Sequence, residues 1–385
     1  MRSSFLPFSP PPVGDDEAAA AADAVRSGWL TTGPRVAEFE AAFAAYLDSA
    51  AALALNSCTA GLHTALVTLG VGVGDDVVTT PMTFASSVNV IEHVGARPLL
   101  ADVEPDTLNI DPGAVERVSG SGTRALLPVH YAGHPVDLEP LRELAASLGA
   151  DVVEDAAHAF PAKYKGAWIG SGPNPVAFSF YATKNLTTAE GGMLTGDPAF
   201  LEETRVVALH GMSRDAWKRY DETGSWYYEV MRPGFKYNMP DVLAAIGLVQ
   251  LRRMGDFQAR RRQIVARYQA AFGAEEALQT PVQRPEVEHA WHLYVLRIHP
   301  ELLTIDRDRF IEEMKARNIG TSVHFIPIHL HPYYRDKYGF APDDFPVALD
   351  AYRRMISLPL TPALSDQDVT DVIEAVLDVV ATFRR

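Results

Sequence analysis

Cysteine is almost absent: Cys58 is the only one in 385 residues. An intramolecular disulfide is therefore impossible, which fits a reducing compartment. Long apolar runs are missing too. No stretch approaches the ~20 residues that cross a bilayer. Met1 to Val13 lacks the apolar core and small-residue cleavage pattern of a signal peptide. These absences predict a soluble cytoplasmic protein with no membrane span. Positive charge is in deficit: 34 Lys+Arg stand against 49 Asp+Glu, a net charge of −15. Such a chain repels phosphate backbones, so no nucleic acid partner is expected. A small anionic ligand remains open, because a local pocket can be positive within a negative whole.

What is present is ordinary globular texture, 47% hydrophobic and 22% charged. Helical patterns cover Asp15–Ser27 and Val36–Leu47. Short apolar strands then alternate with helices. The strands are Ala51–Leu55, Asp76–Thr80, Pro98–Asp102, Ala125–Val129, Asp151–Glu154 and Val176–Phe180. Leu138, Leu141, Leu144 and Leu148 recur at helical spacing, and Gly149 stops that helix. Such alternation predicts an α/β fold with a mostly parallel sheet. The last third reads as α+β: a long helix from Asp241 to Phe272, strands at Trp291–Ile298 and Thr321–Phe325, and a final helix capped by Ser365. A boundary near 250 is expected. It separates a large domain, 1–250, from a small one, 251–385, on which the extreme N-terminus packs. Arg252, Arg253, Arg260, Arg261 and Arg262 read as a solvated helix face, with at most a minor role in steering a diphosphate.

Four segments converge on pyridoxal phosphate (PLP) chemistry, which needs a lysine, a carboxylate for the pyridine nitrogen, a phosphate seat and a flat group on the ring. Asp155 follows a strand at its carboxyl end, where open α/β sheets place ligands. A negative charge there favours the protonated ring. The competing reading is a helix N-cap. Lys184 also follows a strand, Phe178-Ser179-Phe180, among aromatic neighbours that would desolvate its amine; a surface lysine is the alternative. Asn56-Ser57-Cys58-Thr59-Ala60-Gly61 joins a strand to a helix, so free N–H groups and the helix dipole point at an anion. Thr59 adds a hydroxyl and Ser179 another, although an ordinary N-cap looks the same. Phe84 follows a strand as the ring-face candidate, or as a core phenylalanine.

Taken in order, these segments resemble the DegT/DnrJ/StrS sugar-nucleotide aminotransferases. The likeness runs through Gly28-Trp29-Leu30-Thr31-Thr32-Gly33-Pro34, His130-Tyr131-Ala132-Gly133, Glu154-Asp155-Ala156-Ala157-His158, Lys184-Asn185, Glu190-Gly191-Gly192, Lys236-Tyr237-Asn238 and Ser357-Leu358-Pro359-Leu360. It implies the aspartate-aminotransferase-like PLP fold (fold type I) and a homodimer with shared active sites. By this resemblance Lys184 holds PLP and shuttles protons, Asp155 pairs with the pyridine nitrogen, and His158 stands by the ring's phenolic oxygen, where many members have Gln. Thr59, Ala60 and Ser179 hold the phosphate, Phe84 stacks on the ring, and Asn238 reaches the neighbouring subunit's cofactor. Trp29, Thr31, His324 and His329 are implied on the substrate side.

Within the family the likeness is greatest to the group that makes UDP-4-amino-4-deoxy-L-arabinose, through the Trp29–Pro34 loop and His289-Ala290-Trp291-His292-Leu293. The run from His324 to Pro332 is closer to other sugar aminotransferases. The implied reaction moves an amino group from L-glutamate, released as 2-oxoglutarate, to the 4-keto carbon of a UDP- or dTDP-linked sugar for surface polysaccharide or glycoside biosynthesis. Pyridoxamine phosphate is the cofactor form between the halves. Amination at a 3-keto carbon is one alternative, and a PLP-binding regulatory protein is another. A family dehydratase would carry His in place of Lys184. No metal is expected: the spacing of His324, His329 and His331 crosses Pro327 and fits no compact ligand motif.

Overall fold

A computed structural model describes residues 2–212 and 227–385. Its centre is a twisted sheet. Strands Arg97–Leu100, Asp76–Thr79, Thr123–Leu126 and Asp151–Val152 lie side by side, all parallel. The layer continues through Glu154–Asp155, which runs parallel to Val176–Ser179. Gly192–Thr195 and then Ala52–Leu55 close the far edge, each antiparallel to its neighbour. The Val153 N–H to the Leu126 carbonyl, 2.9 Å, and a parallel bridge from Val129 to Asp155 join the two halves. The sheet is therefore mixed and mostly parallel, as the alternation of strands and helices predicts.

Helices cover the sheet. Cys58–Thr68 packs on Val176–Ser179 and Gly192–Thr195, and Asp241–Arg252 lies on Asp15–Arg26 and Pro34–Leu47. Between helix and sheet sit Phe39, Phe43, Phe160, Phe178 and Phe180, with ring centroids about 5 to 6 Å apart in the ranges expected of packed aromatics. Each such ring contributes roughly 2–3 kcal/mol by leaving water. A separate apolar cluster gathers around the antiparallel strands Leu278–Gln279, Tyr294–Ile298 and Met355–Leu358. Helices Met254–Phe272, Arg307–Ala316 and Asp366–Phe383 cover it, and Leu6 joins it through a bridge to Ile319. Ser365 caps the last helix by accepting the Asp368 N–H. No helix among the described residues is long and apolar enough to cross a membrane.

Three expectations are corrected. The helix expected over Asp241 to Phe272 is two helices, broken at Arg253. Buried Glu17 docks at the break, accepting from Gln250 Nε2 and Arg253 Nη1 at 2.7 Å each. The strand expected at Thr321–Phe325 is a single bridge, Ser322 to Ser357. Consecutive His324 and Phe325 both face one cavity, which the alternation of a strand forbids. The arginine run is not a uniformly solvated face. Arg261 is 1% exposed and donates to the Trp291 and Leu360 carbonyls.

Candidate active site

The carboxyl ends of the parallel strands open into a cavity of about 520 Å³. Asp155 lies in its wall, 3% exposed, so it is a cavity carboxylate and not an exposed cap. A charge at this depth needs hydrogen bonds to be tolerated. Asp155 Oδ1 accepts the Ala157 N–H at 3.0 Å, and Oδ2 accepts from Ser87 Oγ at 2.7 Å. Thr83 Oγ1 stands 2.7 Å behind Ser87 Oγ and donates to it, since the Ser87 proton is already committed. The Cys58 thiol lies 3.7 Å from Oδ1. Burial pushes that thiol well above its ordinary pKa, so it is a neutral neighbour. These contacts hold the carboxylate rigidly and leave it acceptor capacity toward the cavity.

Lys184 faces Asp155 across this space. It follows the strand Val176–Ser179, and its N–H closes a turn on the Tyr181 carbonyl at 2.8 Å. Burial pulls its amine down to about 8, against the opposing pull of Asp155. Neutral amine, the nucleophilic form, is thus accessible near neutral pH.

The strand-to-helix turn forms the third side. Ser57 Oγ accepts the Ala60 N–H at 3.0 Å and caps helix Cys58–Thr68. Ser57, Thr59 and Ser179 all line the cavity at this positive helix end. Ala60 is buried behind them with its N–H held by Ser57. The backbone of Gly192 passes so close that a Cβ there would sit 2.4 Å from the Ser57 carbonyl carbon. Only glycine permits that approach.

The remaining wall is aromatic. Phe84 is 64% exposed and lines the cavity, so it is no core residue. Its ring lies 6.0 Å from that of Phe325, which stacks on His158 at 5.6 Å. His158 Nδ1 is buried without a hydrogen-bond partner. Burial and the nearby Lys184 hold His158 well below the usual histidine range, so it is neutral. His324 is pulled down to about 4 for the same reasons, and its Nδ1 lies 2.9 Å from Ser357 Oγ.

Not every expected residue converges here. His329 is 0% exposed, its Nε2 donating to the Pro342 carbonyl at 3.0 Å and its ring packed on Phe345. Its assignment to the substrate side is withdrawn: the ring is sealed in packing away from the cavity. Trp29, Thr31 and Asn238 gather at a different edge. Trp29 Nε1 donates to the Thr32 carbonyl, and Asn238 Nδ2 donates to Thr32 Oγ1 at 2.7 Å. Thr31 is exposed and its carbonyl accepts the Asp241 N–H. Sequence reasoning missed Ser87, His292 and Phe325. The hydroxyls of Thr83 and Ser87 at i, i+4 spacing were a readable sign for the first; nothing local marks the other two.

The residues fit PLP. A desolvated lysine amine, an oriented carboxylate, hydroxyls at a helix N-terminus, a glycine cradle and an unpartnered histidine nitrogen supply the required donor set.

Comparison with known proteins agrees. The sequence model of the DegT/DnrJ/EryC1/StrS aminotransferase family matches residues 11–377. The chain is 50% identical over 381 residues to the spore coat polysaccharide biosynthesis protein SpsC of Bacillus subtilis, covering 98% of each. Spr1654 of Streptococcus pneumoniae, a candidate sugar aminotransferase solved in its PMP form, superposes with a TM-score of 0.91 at 34% identity, covering 98% of this chain and 99% of that one. S. venezuelae DesV, solved with a ketimine intermediate, gives 0.88 at 33% identity with 98% and 99% covered.

Proposed function

The chain belongs to the DegT/DnrJ/EryC1/StrS aminotransferase family and is a PLP-dependent enzyme, and on that footing we propose that it aminates the 4-keto carbon of a nucleotide-linked sugar with L-glutamate as donor. The observation that carries the reading is the pairing of a desolvated Lys184 with a buried, oriented Asp155 across one cavity. The polysaccharide role of SpsC supports a product destined for a surface glycan.

PLP, when bound, supplies an electron sink that makes the proton beside the donor's amino group acidic. Lys184 would hold the cofactor covalently and, once released, would carry that proton as general base and then acid. A lowered pKa enlarges the neutral fraction of the amine, the form able to accept a proton. Asp155 keeps the ring nitrogen protonated, because an ionised carboxylate favours the cationic partner. His158 would donate to the ring oxygen, and Phe84 would cover a ring face. Thr59, Ser179 and the helix N-terminus would hold the phosphate. Ala60 contributes its N–H only if Ser57 Oγ yields it. His324 lines the sugar side.

Trp29, Thr31 and Asn238 do not line their own cavity, so we assign them to the partner's site in a homodimer. Exposed Leu30, beside Trp29 and Thr31, provides apolar surface for that contact.

The test is incubation of holoenzyme with glutamate and a panel of UDP- and dTDP-linked 3-keto and 4-keto sugars, read by mass spectrometry. Amination of 4-keto sugars is expected. Amination of 3-keto sugars alone would overturn the positional assignment.

A further inference from the structure

Trp291 carries a φ of +48°. A bulky residue holds that left-handed conformation only when its surroundings impose it. Here they do. The Trp291 N–H donates to His289 Nδ1 at 2.8 Å, and its carbonyl accepts from Arg261 Nη1 at 3.1 Å. The His289 ring stacks on the indole with centroids 3.9 Å apart. Arg261 is buried, and its guanidinium donates to the carbonyl oxygens of Trp291 and Leu360. On either side of Trp291, the Ala290 N–H reaches the Gly133 carbonyl at 2.9 Å and the His292 N–H reaches the Ala132 carbonyl at 3.1 Å. A Cβ on Gly133 would lie 3.1 Å from both Ala290 Cβ and His292 N, so the two segments are pressed together. The constrained turn delivers His292 into the wall of the Lys184 cavity.

His292 is also fixed in tautomer. Asn185, buried directly after Lys184, donates its Nδ2 to the Ala290 carbonyl at 2.8 Å. Its Oδ1 therefore faces His292 Nδ1, 3.2 Å away, and accepts from it. The hydrogen sits on Nδ1, and Nε2 carries the lone pair. The His292 ring packs 4.4 Å from that of His158, while Phe325 stacks on His158 at 5.6 Å.

We propose that His292 is a positioning residue for aminotransfer: anchored by Asn185 and the constrained turn at Trp291, it fixes the ring of His158 against the cofactor. This rests on the reading that the Lys184 cavity holds PLP with His158 beside its ring oxygen. The titratable and charged groups facing His292 are His158, Lys184, Arg261 and His324.

The experiment uses reconstituted holoenzyme of wild type, His292→Phe, Asn185→Ala and the double variant. The visible absorbance of bound PLP is titrated against pH. His292→Phe keeps the ring's bulk and removes its anchor; Asn185→Ala removes the anchor from the other side. Each single variant is expected to move the titration midpoint by at least about half a pH unit, in the same direction. The double variant should move it no further, because the pair acts as a unit. A wild-type midpoint in either single variant, or additive shifts in the double, overturns the proposal. Failure of wild type to develop the PLP band at all would instead overturn the cofactor reading beneath it.

Discussion

Lys184 must offer a neutral amine to attack, and burial, which lowers its pKa to about 8, makes that form accessible. At pH 7 about one amine in ten is neutral, against roughly one in three thousand for an unperturbed lysine. Capture of PLP by the cofactor-free chain should therefore accelerate as pH rises and level off through about 8. Stopped-flow absorbance would read this directly, and a rate still climbing toward pH 10 would show that the amine is not desolvated. Asp155 and Lys184 were legible in the sequence because each sits in a short motif behind an apolar strand. His292 and Phe325 were not, because residues more distant in the chain bring them to the cavity. Arg261 was misread for a related reason. Its partners are backbone carbonyls of Trp291 and Leu360, which no side-chain pattern announces.

Elements with a full period of apolar residues were readable at nearly their true bounds, as with Leu138–Leu148 and Asp366–Phe383. Gly192–Thr195 escaped notice, since four residues beginning with glycine carry little strand signal. Its position between Val176–Ser179 and Ala52–Leu55 is what presses Gly192 against the Ser57 turn. Gly192→Ala places a methyl 2.5 Å from the Cys58 nitrogen, so the turn must move off the strand. PLP affinity should fall at least about tenfold, equivalent to 1.4 kcal/mol. Equilibrium titration followed by absorbance checks it; wild-type affinity would mean that the turn does not seat the phosphate.

The whole molecule is acidic, yet its cavity gathers an amine and a positive helix end. The mostly parallel sheet was legible from the alternation of strands and helices, and places both Asp155 and Lys184 at one edge. The proposed homodimer comes from resemblance alone, and the absence of Trp29, Thr31 and Asn238 from the lining of their own cavity supports it. Light scattering should return twice the 42.0 kDa chain mass, and a monomer that is fully active would refute the shared site.

The central claim is that Lys184 holds PLP and carries the proton on which amino transfer depends. Wild type and Lys184→Ala, each loaded with cofactor, are given 15N-glutamate and a nucleotide-linked 4-keto sugar, and the sugar is weighed by mass spectrometry. The account predicts repeated turnover and 15N in the sugar with wild type, and no catalytic turnover with Lys184→Ala. Sustained 15N transfer by Lys184→Ala would contradict it.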